Sequence, residues 1–154
     1  MPKCAAVRVA GVMTKVLTYV DANVLIAAFR AQAPQSAAAI AVLRDPQRDI
    51  LVSDALWLET MPKAQYHRQF HECAFCEGIF SLAKARVAWT DAVLKAACEL
   101  ALRYGLAAMD AVHVAGALTA GADELVTGED WNKPMLQVKE LRGDLTEAAS
   151  IARA

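Results

Sequence analysis

The chain has 154 residues, of which 56% are hydrophobic, and its formal net charge is −1. This length fits one domain with a sizeable core, and the composition excludes a disordered chain. No apolar run reaches the roughly 18 residues of a membrane-spanning helix, and no apolar block with a cleavage site opens the sequence. We therefore expect a cytoplasmic protein that makes no use of a membrane.

The first half of the chain alternates short β-branched runs with helical patterns. A flexible extension is expected over residues 1–12, and strands are predicted at Lys15–Val20 and Ile50–Ser53. The predicted helices are Ala22–Arg30, Gln35–Arg44 with Pro34 at its start, and Asp54 to Gln69 with a kink or break at Pro62.

The second half continues the same alternation. Helices are predicted at Glu72–Leu82, from Thr90 as N-cap to Tyr104 with Gly105 closing it, and at Asp110–Thr119 with Gly121 closing it. Strands are predicted at Arg86–Trp89 and Glu124–Thr127, with a last edge strand at Gln137–Leu141 and an Ala-rich, helical tail from Gly143.

Strands that alternate with helices favour a parallel sheet covered on both faces. The sequence therefore predicts an α/β fold, a three-layer α/β/α sandwich with a central parallel sheet. We expect one domain over residues 13–142 and a tail over residues 143–154, with no internal repeat.

A zinc site is one interpretation of the segment from His67 to Cys76, because it contains two histidines and two cysteines. No second cysteine pair elsewhere would complete such a site. Phe70, Cys73, Ile79 and Phe80 fall near helical spacing, which favours cysteines that serve as small core residues.

Acidic residues stand where ligands bind in open parallel sheets, beyond the carboxyl ends of the strands. Asp21 directly follows the first strand, Glu59 lies in the helix after the second, and Asp110 begins a later helix. Glu129 and its neighbour Asp130 follow the strand Glu124–Thr127. The candidate site thus combines acids at three strand ends and one helix start.

Each acid also has a purely structural explanation. Asp21 would cap a helix, Glu59 would pair with Lys63 one turn on, and the acids after Thr127 would belong to a turn. Asp54 competes with Glu59 because it lies nearer the strand end. His113, one turn after Asp110, is interpreted as a hydrogen-bonded core histidine.

Carboxylates crowded into one cleft repel one another, and a divalent cation relieves that repulsion. Ligands that are all oxygens select Mg²⁺ or Mn²⁺ over zinc. No convincing Ser-His-Asp or Cys-His set is present, so metal-assisted hydrolysis is the expected chemistry.

Four segments together resemble the PIN domain, with VapC-type toxins of bacterial toxin–antitoxin pairs as the nearest pattern. They are VDANVLI (20–26), LETMPKA (58–64), MDAVHVAGA (109–117) and LVTGEDWNKPM (125–135). The family pattern matches Asp21, Glu59 and Asp110. It ends in Thr-x-Asp, where this chain has Thr127, Gly128 and Glu129, which leaves open whether Glu129 or Asp130 is the fourth acid.

The resemblance implies a Mg²⁺- or Mn²⁺-dependent endoribonuclease whose catalytic, metal-binding acids are Asp21, Glu59, Asp110 and Glu129 or Asp130. It also implies a structured RNA substrate such as tRNA or rRNA, a small antitoxin partner and a homodimer. By the same resemblance, Asn23 would bind metal through water.

The sequence leaves two alternatives to a nuclease function. A PIN-fold binding protein with a catalytically silent site would keep the fold and bind no metal. A flavodoxin-like phosphoacceptor is disfavoured because Ala22 and Asn23, rather than a second acid, follow Asp21. If RNA is the substrate, the candidate phosphate contacts are Arg30, Lys63, Arg68 and Lys133.

Overall fold

The computed structural model describes residues 14–31, 35–130, 132–144 and 147–150. The predictions for residues 1–12 and for Pro34 lie outside these ranges. The strands are β1 (Val16–Val20), β2 (Arg48–Ser53), β3 (Ala85–Val87), β4 (Glu124–Thr127) and β5 (Glu147–Ser150). The helices are α1 (Ala22–Arg30), α2 (Gln35–Arg44), α3 (Asp54–Tyr66), α4 (Phe70–Leu82), α5 (Asp91–Tyr104), α6 (Ala108–Thr119) and α7 (Lys139–Asp144), with a 3₁₀ helix at Pro134–Gln137.

The five strands form one parallel sheet in the order β3-β2-β1-β4-β5. The chain moves outward from β1 through β2 to β3 and then returns to the other side of β1 with β4. This reversal of direction makes the gap between the carboxyl ends of β1 and β4 a topological switch point, where open α/β sheets bind their ligands.

Helices cover both faces of the sheet, as predicted for a three-layer α/β/α sandwich. Alternate strand residues point to opposite faces, so Tyr19, Leu51 and Leu125 pack with α5, α6 and α7. Their neighbours Val20 and Val126 pack with α1, α2, α3 and α4 on the other face, where Cys76 is also buried. Almost no side chain of the central strands reaches solvent at the carboxyl end.

Local signals in the sequence fix several helix ends. The Ser53 hydroxyl accepts a hydrogen bond from Leu56 N at 3.0 Å, which starts α3, and the Thr90 hydroxyl caps α5. Gly105 ends α5 in the left-handed conformation, with φ of 66°, as predicted. None of the helices in the described ranges is long and apolar enough to cross a membrane.

The predicted edge strand at Gln137–Leu141 is wrong. Pro134 opens a 3₁₀ helix, and α7 follows at Lys139–Asp144. The last strand is instead β5, in the tail that was predicted to be helical, and it pairs with β4. Pairing with an open sheet edge overrides the helical propensity of the alanines, which a single sequence cannot reveal.

Several other boundaries differ from prediction by one to three residues, and two of them are in the helices that carry candidate acids. Pro62 lies inside α3 without ending it, and the helix ends instead at Tyr66. The carbonyl four residues earlier belongs to the exposed Leu58, where water can replace the hydrogen bond that proline lacks. Helix α6 begins at Ala108, so Asp110 is its third residue rather than its first.

Candidate functional site

Asp21 lies at the switch point, immediately after β1, and is 4% exposed. One carboxylate oxygen accepts a hydrogen bond from Val24 N at 3.3 Å, so the predicted N-cap role is real. The other oxygen accepts a hydrogen bond from the Thr127 hydroxyl at the end of β4. Burial raises the pKa of Asp21 to about 6, against the lowering effect of the Thr127 hydrogen bond.

Glu129 follows β4 and faces the same edge. Its carboxylate accepts a hydrogen bond from Asn23 Nδ2 at 2.8 Å, and Lys133 Nζ lies 3.4 Å from its other oxygen. The backbone N–H of Glu129 also donates to the Thr127 hydroxyl at 3.0 Å. The loop after β4 is thereby attached to α1 through two side chains, Asn23 and Thr127.

Glu59 is held by a histidine from a different helix. Its carboxylate lies 2.6 Å from Nε2 of His113, whose side chain is only 3% exposed. Nδ1 of His113 lies 3.0 Å from the Tyr19 hydroxyl, which in turn donates to Ser53 Oγ at 2.9 Å. The predicted hydrogen-bonded core histidine is confirmed, and its partner is one of the candidate acids, which the sequence did not indicate.

Asp110 joins this group from the first turn of α6. Burial raises its pKa, and Glu129 and Glu59 raise it further, whereas Lys133 and His113 lower it. Glu59 likewise raises the pKa of Asp21. The four acids from α1, α3, α6 and the β4 loop are therefore close enough to repel one another electrostatically.

The two alternative acids, Asp130 and Asp54, have surroundings different from those of the four candidate acids. Asp130 is exposed, and its backbone carbonyl accepts a hydrogen bond from Lys133 N at 2.9 Å. Asp54 is bound to Trp89 N and to the guanidinium of Arg86, and the backbone hydrogen bond from Trp89 lowers its pKa. Asp54 thus fixes the loop between β3 and α5.

The four candidate RNA-contacting residues lie at different distances from the acidic site. Lys133 belongs to the acidic group, and Lys63 lies on α3 one turn after Glu59. Arg68 is exposed at the turn between α3 and α4. Arg30 is at the far end of α1 from Asp21, about 13 Å along the helix axis, and does not reach the site.

The donor set suits a hard divalent cation. Its members are carboxylates and an amide, and their mutual repulsion is the kind that such an ion relieves. Within the described ranges, however, no three His, Cys, Asp or Glu side chains converge at the spacing of metal ligands. Within these ranges the four acids are therefore electrostatic neighbours without a preformed set of three ligands.

A sequence model of the PIN domain matches residues 18–134, which is most of the chain. The protein belongs to the PIN domain family. A comparison with curated proteins finds no match.

Solved structures with the same fold include two bacterial assemblies. A toxin–antitoxin complex from Klebsiella pneumoniae is 22% identical with a TM-score of 0.56, over 75% of this chain and 90% of that one. VapBC2 from Rickettsia felis, bound to a DNA fragment from its promoter, is 12% identical with a TM-score of 0.61. That likeness covers 88% of this chain and 98% of the other. At these identities the comparisons establish the shared fold.

Proposed function

We propose that this PIN-domain protein is a Mg²⁺- or Mn²⁺-dependent endoribonuclease that hydrolyses phosphodiester bonds in RNA. The observation that carries the proposal is the group of four acids at the switch point. Burial and mutual repulsion raise the pKa values of Asp21 and Asp110, and both effects favour occupation by a cation.

Asp21, Glu59, Asp110 and Glu129 would hold the ion. When bound, the ion would lower the pKa of a coordinated water and stabilise the charge that develops on the phosphate. Thr127 fixes the orientation of Asp21, and Asn23 fixes that of Glu129. His113 holds Glu59, and the Lys133 ammonium, which is paired with Glu129, would exchange that carboxylate for a substrate phosphate.

We further propose that the protein is the toxin of a toxin–antitoxin pair and works in the cytoplasm as a homodimer. The shared fold with the Klebsiella pneumoniae and Rickettsia felis complexes supports an antitoxin partner. The homodimer and the cytoplasmic location are expected from the resemblance to VapC-type toxins. The substrate in this proposal is a structured RNA, such as tRNA or rRNA, cut at unpaired nucleotides.

One observation favours the alternative of a silent PIN-fold binding protein: the described residues contain no preformed set of three metal ligands. A calorimetric titration with Mn²⁺ separates the two functions. Saturable binding that Asp110→Asn abolishes supports the nuclease. Lack of binding by the native protein favours the silent site.

The decisive experiment is an RNA-cleavage assay on purified protein with end mapping by sequencing. Activity should disappear in chelator, return with Mg²⁺ or Mn²⁺, and be absent in Asp21→Asn and Asp110→Asn variants that retain the native circular dichroism spectrum. Cleavage that persists in chelator, or full activity in either variant, would refute the proposal.

A further inference from the structure

The turn between α3 and α4 carries two aromatic side chains that are almost fully exposed. Tyr66 is 83% exposed and Phe70 is 74% exposed. Lys63 and Arg68 are exposed beside them, and we call Lys63, Tyr66, Arg68 and Phe70 the α3–α4 tip. Two exposed rings within five residues, flanked by two cationic side chains, make this turn a candidate binding surface.

The charge of this segment favours a polyanion as the occupant. Residues 60–71 contain a lysine, an arginine and two histidines but no aspartate or glutamate. Among the described residues, neither Lys63 nor Arg68 has an ion-pair partner. By contrast, the exposed Leu102 on α5 has residues of both charges close in sequence, Glu99 and Arg103.

The tip is also connected to the acidic site by helix geometry. Glu59, Lys63 and Tyr66 are spaced i, i+4 and i+7, so they follow one face of α3. Lys63 is about 6 Å and Tyr66 about 10 Å beyond Glu59 along the helix axis. A nucleic-acid strand with a phosphate at the acids can follow this face, with another phosphate at Lys63 and a base at Tyr66.

The backbone of the tip is fixed in the conformation that presents these side chains. Arg68 has a left-handed conformation with φ of 53°. Its N–H donates to Gln65 O at 3.0 Å, and Gln69 N donates to Ala64 O at 2.9 Å. The His67 ring packs edge-on against Tyr66, with 5.0 Å between centroids. The backbone hydrogen bonds and the Tyr66–His67 ring contact thus support the position from which Tyr66 is presented.

We propose that the α3–α4 tip is a binding subsite for single-stranded RNA, in which an unpaired base stacks on Tyr66 and Lys63 contacts a phosphate. Phe70 provides a second ring for a neighbouring base. The proposal rests on the RNA-directed function above, which already takes unpaired nucleotides as the cut site, and adds the place on the protein where neighbouring unpaired bases bind. Bases within an A-form duplex are already stacked and cannot occupy this surface.

The test is an equilibrium binding measurement in chelator, so that metal-dependent cleavage does not occur. The probe is a fluorescein-labelled oligouridylate of about twelve nucleotides, compared with an RNA duplex of the same length. Tyr66→Leu keeps an apolar side chain but removes the ring, whereas Tyr66→Phe keeps the ring. Leu102→Ala, at an equally exposed apolar position, is the matched control.

We expect Tyr66→Leu to weaken single-strand binding by roughly 5- to 100-fold. The single-strand affinities of Tyr66→Phe and Leu102→Ala should be close to that of the native protein. Duplex binding should be the same in all of them. Lys63→Ala should lower the slope of log Kd against log salt by about 0.7, and Tyr66→Leu should leave that slope unchanged.

Two results would overturn the proposal. One is that the native protein does not bind the single strand, and the other is that Tyr66→Leu binds it with native affinity. If Tyr66→Leu in the second case also shifts sedimentation from dimer to monomer, the tip is assigned to a protein contact.

The experiments distinguish failure of the proposed nuclease activity from failure of the proposed RNA subsite. Lost single-strand binding in Tyr66→Leu, together with no cleavage by any variant under any metal condition, would refute the nuclease and retain the subsite. Full Mn²⁺-dependent cleavage with native Kd and KM in Tyr66→Leu would refute the subsite alone.

Discussion

Thr127 donates a hydrogen bond from its hydroxyl to the carboxylate of Asp21, although the two residues are 106 positions apart. The contact connects the carboxyl ends of β1 and β4, which are neighbours in the sheet. The same hydroxyl accepts the N–H of Glu129. A single threonine side chain thereby fixes the relative positions of two of the four acids.

Ionisation of Asp21 should destabilise the metal-free protein. Its pKa rises from the ordinary value of 3.8 to about 6 in the folded state, so the folded protein binds more protons than the unfolded chain between these values. Stability should therefore fall as pH rises through this range, by up to about 3 kcal/mol. Urea unfolding of native protein and Asp21→Asn in chelator, from pH 4 to 8, measures the difference.

For this prediction Asp91→Asn, on the exposed first turn of α5, is a suitable control. The gap between native and Asp21→Asn stabilities should change with pH by more than the gap between native and Asp91→Asn stabilities. If plots of unfolding free energy against pH are parallel for all three proteins, the raised pKa of Asp21 is contradicted.

The fourth acid can be identified by two substitutions of neighbouring residues. Glu129 raises the pKa of Asp110 and accepts a hydrogen bond from Asn23, whereas Asp130 is exposed. Glu129→Gln should therefore weaken Mn²⁺ binding by at least about tenfold in calorimetry, because it removes a charged oxygen ligand. Asp130→Asn should bind Mn²⁺ with near-native affinity, and the reverse pattern would transfer the role to Asp130.

His113 should act by positioning Glu59. Removal of the imidazole in His113→Ala frees the carboxylate, and losses of about 10- to 100-fold in Mn²⁺ affinity or cleavage rate are typical for such supporting residues. His113→Gln offers an amide N–H to Glu59 and should recover part of the Mn²⁺ affinity. Calorimetry and kcat measurements are the tests.

Val114→Ala on the same helix is the control for lost packing, since Val114 is fully buried in the core. It should lower the unfolding temperature and leave the Mn²⁺ affinity unchanged. Equal Mn²⁺ affinity in His113→Ala and native protein would show that His113 has only a structural role.

Gly128 should tolerate no side chain. A Cβ at this position would lie 2.7 Å from the Cβ of Asn23, so α1 and the β4 loop would have to separate. Gly128→Ala should lower stability by about 1–3 kcal/mol and weaken Mn²⁺ binding, because the Asn23–Glu129 hydrogen bond is lost. Unfolding and calorimetric titrations on one preparation measure both.

Gly78 is the matched position, in α4, where an added Cβ meets no heavy atom within 4 Å. Gly78→Ala should be neutral or stabilise the protein by about 0.5–1 kcal/mol through helix propensity. Similar destabilisation by both substitutions would argue that the clash with Asn23 is not the cause.

The sequence by itself determined the layer architecture and most element boundaries. Helices α1 and α2 and strand β4 have the predicted limits, because a period of 3.6 or of 2 and a nearby cap are local properties of the chain. Asp21 was identified by the same kind of local pattern as the residue that directly follows the first strand. The order of four motifs was enough to indicate the PIN domain.

Only the tertiary structure decided which side chains meet. Three pairings depend on neighbours that are distant in sequence. Glu59 binds His113 rather than Lys63, and Thr127 binds Asp21. Strand β5 forms from the alanine-rich tail because it pairs with β4. The choice of Glu129 over Asp130 as the neighbour of Asp110 is of the same kind. Such pairings follow from strand order and helix packing, which are properties of the whole fold rather than of any local window of residues.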